Sequence, residues 1–344
     1  MKLHSPTFLI LFYTICCTAC EGQDKPVVPT YPKPANYESI GIAGDAHDVV
    51  TTTEAGIVLM GGGTDVDDAF RWMIERSGGG DFVIIRASGS TGYNKYIQEL
   101  GSVNSVETLL IDNREKAMKK DVGQRIKEAE AVFIAGGDQW NYVNFWKDTE
   151  VSSALRFLVE EKKIPIGGTS AGCAILSEIM FDAKYGTVVS AEAISNPFAN
   201  MVSLSKSFIP LALLQNTVAD QHYSNRERLG RHVAFMARMI TDFSILHPRG
   251  IGVDEKTAVC IDQDGMALVK GLGHAYFISA NGEAPEVCTP GSPLQWKRNN
   301  NAIRAYIFQG SSAGTEAFNL NHWPDQDEHE RWYVEEGVLK RVKP

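Results

Sequence analysis

Glycine turns that directly follow short apolar segments are the feature that most constrains how this chain folds. They are Gly61-Gly62-Gly63, Gly136-Gly137 and Gly167-Gly168. The segments before them have the length and composition of buried strands, and segments with helical spacing lie between them. This alternation is typical of an α/β fold in which helices cover a mostly parallel sheet. Because sites in such folds form at the carboxyl ends of the strands, all three turns should lie on one rim of the sheet.

The pattern changes after about Gly250, where strand-like segments follow one another directly. They are "TAVCI", "MALVKG", "AYFIS" and "IRAYIF". Such a succession predicts an antiparallel margin of the sheet or a small β-rich appendage. We therefore expect an α/β domain over residues 51–283 that carries the site, and a C-terminal β-rich extension, 284–344, packed on the same domain.

The first fifty residues are predicted to lie outside the fold. An apolar segment within residues 1–19 is too short to span a bilayer and is typical of a signal peptide. It ends in a small residue before Cys20, which resembles a bacterial lipoprotein signal. That resemblance implies an exported protein with lipid on Cys20, anchored to the bacterial envelope; an ordinary cleaved signal is the alternative. The proline-rich stretch that follows predicts a tether over residues 20–50.

Charge and cysteine content exclude several classes of function. The formal net charge of −9 gives no attraction to nucleic acid or anionic lipid, so no nucleic-acid partner and no membrane contact beyond the lipid anchor are predicted. Without residues 1–19 and Cys20, the cysteines are Cys173, Cys260 and Cys288, an odd and widely spaced set that predicts buried free thiols. The acidic segment "TDVDD" predicts a helix capping box, with Thr64 as N-cap, rather than a metal site.

One glycine turn carries a serine motif. Gly168-Thr169-Ser170-Ala171-Gly172 fits G-x-S-x-G, with a strand before it and an apolar helix after it. Such a turn exposes the serine Oγ at the start of a helix, where the Ala171 N–H can stabilise an oxyanion. The same pattern recurs around Ser312, but no long apolar helix follows there. We therefore predict that Ser170 is a nucleophile.

A nucleophilic serine needs a base and a group that orients the base. His222 has the most polar setting of the eight histidines and is the predicted base. Asp254 and Glu255 begin a later strand, and neighbours on a strand face opposite sides, so one of these two acids should face the site. The arginines that follow His222 predict a local positive site suited to carboxylates, with a solvated helix face as the alternative.

With Ser170, His222 and Glu255 in this order, the sequence resembles the peptidase S51 family, and most of all its members that degrade cyanophycin. The likeness runs from about Gly56 to Val269 and rests on "GGG", "GGDQ", "GTSAG", "DQHYSNRERLGR" and "GIGVDE". It implies a three-layer sandwich akin to class I glutamine amidotransferases, with the nucleophile on a strand-to-helix elbow. It also implies a serine exopeptidase that works through an acyl-enzyme without metal or organic cofactor.

The resemblance further implies a role for each residue of the site. Ser170 would attack, His222 would act as general base and then acid, and Glu255 would orient His222. The oxyanion hole would combine the Ala171 N–H with a backbone N–H of the Gly137-Asp138 turn. The implied substrate-binding residues are Gln139, Asp220, Gln221, Arg226, Arg228 and Arg231. The implied substrate is cyanophycin, or a related aspartyl or isoaspartyl peptide, from which β-Asp-Arg-type dipeptides are released.

Two features leave the substrate open. The segment after Gln139, "WNYVNFW", is aromatic where the cyanophycin-degrading members are basic. An export signal also does not fit an intracellular storage polymer. One alternative function is an esterase of the α/β-hydrolase type, which the chain order disfavours because its acid would have to precede His222. The other is a non-catalytic exported lipoprotein that binds acidic peptides. Family resemblance suggests a homodimer.

Overall fold

The computed structural model describes Met1 and residues 30–32, 38–325 and 327–344. In these residues the strands are β1 (Thr30–Pro32), β2 (Ser39–Gly44), β3 (His47–Val49), β4 (Gly56–Met60), β5 (Asp81–Arg86), β6 (Ser105–Leu110), β7 (Ala131–Ile134), β8 (Pro165–Thr169), β9 (Ile179–Phe181), β10 (Leu204–Lys206), β11 (Thr217–Gln221), β12 (Arg249–Val253), β13 (Thr257–Asp262), β14 (Met266–Gly271), β15 (His274–Ala280), β16 (Ile303–Gln309), β17 (Thr315–Asn319), β18 (Glu330–Glu335) and β19 (Val338–Val342).

The α-helices of the same residues are α1 (Asp67–Arg76), α2 (Gly92–Gln98), α3 (Arg114–Ala117), α4 (Lys120–Glu128), α5 (Gln139–Trp146), α6 (Glu150–Phe157), α7 (Ala171–Ala174), α8 (Ser190–Ser195) and α9 (Leu229–Phe243). Short 3₁₀ turns lie at Ala212–Leu214, Ser224–Arg226, Arg298–Asn300 and Leu320–Asp325, and a π turn lies at Leu158–Lys162. None of the helices in the described residues is long and apolar enough to cross a membrane.

The first large sheet has the strand order β17-β14-β13-β4-β8-β7-β5-β6-β2. Its five central strands, β4, β8, β7, β5 and β6, pair in parallel. Alternate side chains of β4 enter different cores: Ile57 and Leu59 join one buried cluster, and Val58 joins another together with Phe70 of α1. Burial on both faces explains why these strands are continuous apolar runs, and it confirms the predicted α/β class.

A second large sheet has the order β10-β9-β11-β12-β15-β16-β18-β19. In it β9, β11 and β12 pair in parallel, while β15, β16, β18 and β19 extend the sheet by antiparallel pairing. The structure therefore differs from the prediction of a single, mostly parallel sheet. The reason is that β15, β16, β18 and β19 pair with one another in chain order, without the crossover helices that parallel strands need. Residues 284–344 contribute strands to both sheets.

Part of the predicted tether, 20–50, is built into the fold. Ser39–Gly44 forms the edge strand β2 and pairs antiparallel with β6, and its residues alternate between half-buried and exposed. The proline-rich composition ends at Pro34, so nothing in the sequence after it prevents strand pairing. The predicted signal peptide, except for Met1, and the predicted lipidation site at Cys20 lie outside the described residues.

The predicted capping box at the start of α1 is wrong. The helix begins at Asp67, and Val66 occupies the N-cap position without a side-chain hydrogen bond. Two tyrosines of α2 bind the nearby acids instead. Tyr93 donates to Asp65 at 2.7 Å, and Tyr96 donates to Asp67. The sequence rule failed because it does not include donors from another helix.

Candidate active site

The two large sheets meet at the glycine turns. β7, β8 and β4 are neighbours in parallel, so the turns that follow them lie on one rim of the first sheet. β11 of the second sheet ends beside this rim, where the His222 N–H donates to the Gly61 carbonyl at 2.8 Å. The Ser170 N–H donates to the Met60 carbonyl at 3.1 Å. The serine therefore comes from one sheet and the histidine from the other.

Ser170 sits in a sharp turn between β8 and α7. Its φ of 52° and ψ of −116° lie in a region that residues with side chains rarely adopt. The two flanking glycines make the turn possible. A Cβ on Gly172 would lie 2.0 Å from the Ile134 carbonyl oxygen, and a Cβ on Gly168 would lie 2.5 Å from the Gly172 carbonyl. This is the geometry of an elbow that presents the serine Oγ at the start of a helix.

A continuous chain of hydrogen bonds links the serine to a carboxylate. Ser170 Oγ lies 2.8 Å from His222 Nε2, and His222 Nδ1 lies 2.6 Å from Glu255 Oε1. With the proton on Nδ1, the imidazole donates to Glu255 and accepts from the serine hydroxyl. This tautomer places a proton acceptor against Oγ, as a general base requires.

The two acids at the end of β12 have different surroundings. Asp254 is buried and accepts hydrogen bonds from the N–H groups of Ser224, at 2.8 Å, and His274, at 3.1 Å. The Glu255 N–H donates to Asn225 Oδ1 at 2.9 Å, and the Glu255 side chain contacts His222 Nδ1. Glu255 is therefore the acid that contacts the imidazole, while Asp254 joins the neighbouring loops.

The surroundings hold the pKa of His222 below its ordinary value of 6.5. Burial lowers this pKa most, and the nearby charges of Arg226 and Arg228 lower it further. The hydrogen bond to Glu255 acts in the opposite direction but does not cancel these effects. At neutral pH the imidazole is therefore uncharged and can accept a proton.

Replacement of Gly62 by alanine should disable this arrangement. The new Cβ would lie 2.5 Å from His222 Cε1, at a residue whose φ is +91°. We expect the imidazole to move and kcat/KM to fall about 10- to 100-fold, since displacements near 1 Å have such effects. Steady-state kinetics on a cleaved peptide would measure the loss.

Gly291→Ala is the matched control for backbone strain. Its φ is +76°, and a Cβ there would meet nothing within 4 Å. This variant should lose some stability in thermal unfolding and keep its kcat/KM. Equal activity losses in the two variants would mean that strain, rather than displacement of His222, limits catalysis.

The backbone next to Ser170 offers unused donors. The N–H groups of Ala171 and Gly137 donate to no other residue in the described part of the chain. The Gly137-Asp138 turn is close to the serine, since a Cβ on Gly136 would lie 3.5 Å from Ser170 Cβ. The Asp138 side chain accepts from the Trp140 N–H at 2.9 Å and so caps α5. These N–H groups can stabilise an oxyanion formed beside Ser170.

A cavity of about 540 Å³ opens in front of Ser170 and His222. Of the predicted substrate-binding residues, those that line it are Gln139, Gln221, Arg226, Arg228 and Arg231. Asp220 lies behind the cavity wall and is 1% exposed. The Gln221 side chain is buried, and its Oε1 atom has no hydrogen-bond partner among the described residues.

The three predicted arginines are not equivalent. Arg231 is buried and forms a two-pronged ion pair with Asp220, with nitrogen–oxygen distances of 2.8 and 2.6 Å. Its third nitrogen donates to Thr187 and to the Val188 carbonyl. Burial would raise the pKa of Asp220, but the charge and hydrogen bonds of Arg231, together with the nearby charge of Arg228, outweigh it and hold the pKa below its ordinary value. Most of the hydrogen-bonding capacity of Arg231 is therefore used within the protein.

Arg228 and Arg226 are less strongly engaged than Arg231. Arg228 donates to the Gln221 carbonyl at 2.8 Å and lies 3.6 Å from Asp220, and burial lowers its pKa to about 10. The Arg226 side chain is 54% exposed, and its ion-pair contact is with Glu255 at 3.9 Å. Arg226 is thus the arginine that is most available to a ligand.

Sequence reasoning missed part of the cavity wall. Phe181 and Lys184, which belong to β9 and the loop after it, line the cavity. Trp140, the first residue of the aromatic segment after Gln139, is half-buried and lines it as well. No periodicity or motif marks the loop, so a signal for Lys184 was absent from the sequence.

The chain is similar in sequence to known peptidases. The model of Peptidase family S51 matches residues 57–269. "Cyanophycinase" of Synechococcus elongatus is 31% identical over 237 residues, which cover 65% of this chain and 68% of that protein. "Peptidase E" of Shewanella denitrificans is 25% identical over 168 residues, which cover 48% of this chain and 65% of that protein. A crystal structure of a peptidase from an acI-B1 actinobacterium superposes with a TM-score of 0.48 at 16% identity, and the match covers 71% of this chain and 94% of that one.

Proposed function

Since the chain belongs to peptidase family S51 and is a peptidase, we propose that it is a serine exopeptidase that hydrolyses cyanophycin or related aspartyl or isoaspartyl peptides. The observation that carries the proposal is the unbroken chain of hydrogen bonds from Ser170 Oγ through His222 to Glu255. The elbow at Ser170 and the unused N–H groups beside it support the same chemistry.

In the proposed acylation step, Ser170 Oγ attacks the scissile carbonyl carbon while its proton moves to His222 Nε2. Glu255 accepts a hydrogen bond from Nδ1–H and stabilises the imidazolium that forms. The N–H groups of Ala171 and Gly137 donate to the oxyanion of the tetrahedral intermediate. The imidazolium then protonates the leaving amine, the C–N bond breaks, and an ester to Ser170 remains.

In the proposed deacylation step, a water molecule replaces the leaving amine beside His222. The imidazole takes a proton from the water, and the resulting hydroxide attacks the ester carbonyl. The C–O bond to Ser170 then breaks, and the proton returns to Oγ. Each proton transfer uses His222 Nε2, so the chemistry requires neither a metal nor an organic cofactor.

The charge around the cavity supports an acidic substrate. The protein is acidic overall, with a formal net charge of −9, yet its cavity is lined, among the described residues, by three arginines and one lysine against a single acid, Asp138. Arg226 is exposed there and can bind a carboxylate next to the scissile bond with two parallel hydrogen bonds. The curated relatives named cyanophycinase agree with aspartyl or isoaspartyl peptides as the substrate class.

The proposed role of His222 predicts how activity depends on pH. Neutral imidazole is the active form, so kcat/KM should fall as pH drops through the pKa of His222, which lies below its ordinary value of 6.5. Arg226→Met removes a charge that lowers this pKa, and the acid limb of the profile should therefore move to higher pH. Profiles of kcat/KM against pH for both proteins would measure the shift.

Arg226→Lys is the control for that profile, because it keeps the positive charge at position 226 and changes the shape of the side chain. Its acid limb should lie close to that of the wild type even if its KM rises. A profile of Arg226→Met that moves to lower pH, or does not move, would contradict the proposed effect of Arg226 on the base.

The substrate is tested directly with purified cyanophycin. The protein from Glu21 onward is incubated with the polymer, and the products are identified by mass spectrometry. Release of β-Asp-Arg would establish the cyanophycin activity. If no dipeptide appears while isoaspartyl peptides are cleaved, the cyanophycin assignment is wrong and the broader proposal stands.

A further inference from the structure

Lys184 is an exposed cation of the cavity wall. Its ammonium group forms no ion pair with any residue in the described ranges. It lies instead against two aromatic rings, 5.5 Å from the centre of Trp140 and 5.2 Å from the centre of Tyr185. Ring faces attract a cation weakly and leave its charge available to an anion.

The backbone of Lys184 is held in place by a buried acid. Asp182 is 5% exposed, and its Oδ1 atom accepts hydrogen bonds from the Lys184 N–H at 3.0 Å and from the Ser203 hydroxyl at 2.5 Å. The Lys184 N–H also lies 3.2 Å from Ser203 Oγ. Lys184 is thus presented to the cavity by an anchored turn, which lowers the entropy cost of binding a ligand there.

Lys184 and Arg226 reach the same cavity from different segments of the chain. Lys184 lies in the loop after β9, and Arg226 lies in the 3₁₀ turn after β11. Both line the cavity that contains Ser170. Among the lining cations, Arg231 is neutralised by Asp220 and Arg228 lies 3.6 Å from the same acid. Two cations therefore remain available, each able to bind a separate carboxylate.

We propose that Lys184 binds a second carboxylate of the substrate, so that the enzyme prefers peptides with two acidic groups next to the scissile bond. Arg226 binds the first carboxylate, and Lys184 binds the acidic side chain of the neighbouring residue. An arginine at that neighbouring position is disfavoured, because its guanidinium meets the ammonium group of Lys184 with like charge. This assignment rests on the proposed function and narrows its substrate class to isoaspartyl peptides with an acidic neighbour. It disfavours cyanophycin itself, since β-Asp-Arg carries arginine at that position.

The test uses three synthetic isoaspartyl peptides that differ at one position. The residue joined to the β-linked aspartate is aspartate, leucine or arginine. Binding is measured by calorimetry in the Ser170→Ala background, where turnover is blocked, and kcat/KM is measured with Ser170 present. In both backgrounds native Lys184 is compared with Lys184→Met. Lys184→Arg tests whether the charge restores the preference.

Lys206→Met is the matched control. Lys206 is an exposed lysine on β10 that does not line the cavity. Its replacement removes the same unit of charge from the protein, and so it reports any long-range electrostatic effect. This variant should leave the order and size of the three affinities unchanged.

We expect the protein with native Lys184 to bind the aspartate peptide most tightly. Lys184→Met should lower the affinity for that peptide about tenfold, as expected when one partner of a charge pair at a binding site is truncated. In Lys184→Met the affinity for the leucine peptide should change less than about twofold, since a neutral side chain forms no such pair. The affinity for the arginine peptide should rise, because the like charge is gone. Equal changes for all three peptides, or the same loss in Lys206→Met, would overturn the assignment.

The two readouts separate this assignment from the proposed function. Binding that depends on Lys184, without hydrolysis by the protein that keeps Ser170, would support the second carboxylate site and overturn the peptidase activity proposed on these peptides. Hydrolysis that shows no dependence on Lys184 would support the activity and overturn the site. Absence of both binding and hydrolysis would overturn both.

Discussion

Ser170→Ala should lower kcat/KM about 10⁴-fold or more on any peptide that the wild type hydrolyses, as happens when a serine peptidase loses its nucleophile. The hydroxyl is held 2.8 Å from His222 Nε2, and alanine leaves no atom there that can form an acyl-enzyme. A small residual rate should remain, since the oxyanion N–H groups are unchanged. Mass spectrometry of released products over long incubation would measure both rates.

Ser312→Ala is the control for this prediction, because Ser312 is the serine of the second G-x-S-x-G sequence. Ser312 is exposed and follows β16 in a bend rather than an elbow before a helix. Its replacement should leave kcat/KM unchanged, and both variants should unfold at the temperature of the wild type. The nucleophile would have to be sought elsewhere if Ser170→Ala kept more than about a tenth of the wild-type rate, far above the residual expected for a serine peptidase.

The local part of the site could be predicted because it depends on backbone geometry near Ser170. Two flanking glycines, a buried strand and an apolar helix occupy consecutive positions, and each limits the conformations of the next. The contacts of Gly168 and Gly172 show the physical basis, since a side chain at either position would collide with the backbone. A motif of this kind can be read from the sequence without knowledge of the rest of the fold.

The choice between Asp254 and Glu255 could not be made from the sequence. Both acids were predicted to begin a strand, where alternation makes the side chains diverge without saying which one faces the cleft. They lie instead in the turn between β12, which ends at Val253, and β13, which begins at Thr257. Their side chains and backbone are fixed by hydrogen bonds to Ser224 and Asn225, in the 3₁₀ turn after β11, and to His274, at the start of β15. Contacts with residues so distant in the sequence leave no recognisable pattern in the residues around the two acids.

The arginines show the same limit of prediction from local sequence, in this case for the charge of the site. Three arginines after His222 suggested a positive site, yet Arg231 is neutralised by the buried Asp220 and is part of the core. Lys184, which the sequence did not single out, supplies charge to the cavity from another loop. The sequence gives the number of charges near a residue in the chain, while pairing and burial decide which of them can bind a ligand.

The second sheet was missed for a related reason. Strand-like segments after Gly250 were recognised, but their partners were not, since pairing in a sheet joins residues that are distant in sequence. β12 pairs with both β11 and β15, and this places the strand that leads to Glu255 beside the strand that leads to His222. The alignment of base and acid is thus a product of sheet order rather than of a motif.

Glu255→Gln should lower kcat about 10²- to 10⁴-fold, the range expected when the acid of a serine triad is replaced by its amide. The negative charge that stabilises the imidazolium is lost, and an amide N–H can turn towards Nδ1 and favour the wrong tautomer. The serine, the elbow and the cavity should be unchanged, so substrate affinity should change little. Steady-state kinetics, with binding measured in the Ser170→Ala background, would separate the two effects.

Asp254→Asn is the matched control, because it makes the same chemical change at the adjacent residue. Its two oxygens accept N–H groups of Ser224 and His274, and an amide can accept only one of them while its NH₂ faces the other donor. We expect this variant to unfold at a lower temperature and to keep kcat within about tenfold of the wild type, since Asp254 does not contact His222. A full loss of kcat in folded Asp254→Asn, together with an active Glu255→Gln, would show that the acid of the triad is Asp254. The geometry predicts the opposite pair of results, because Glu255 is the carboxylate 2.6 Å from the imidazole.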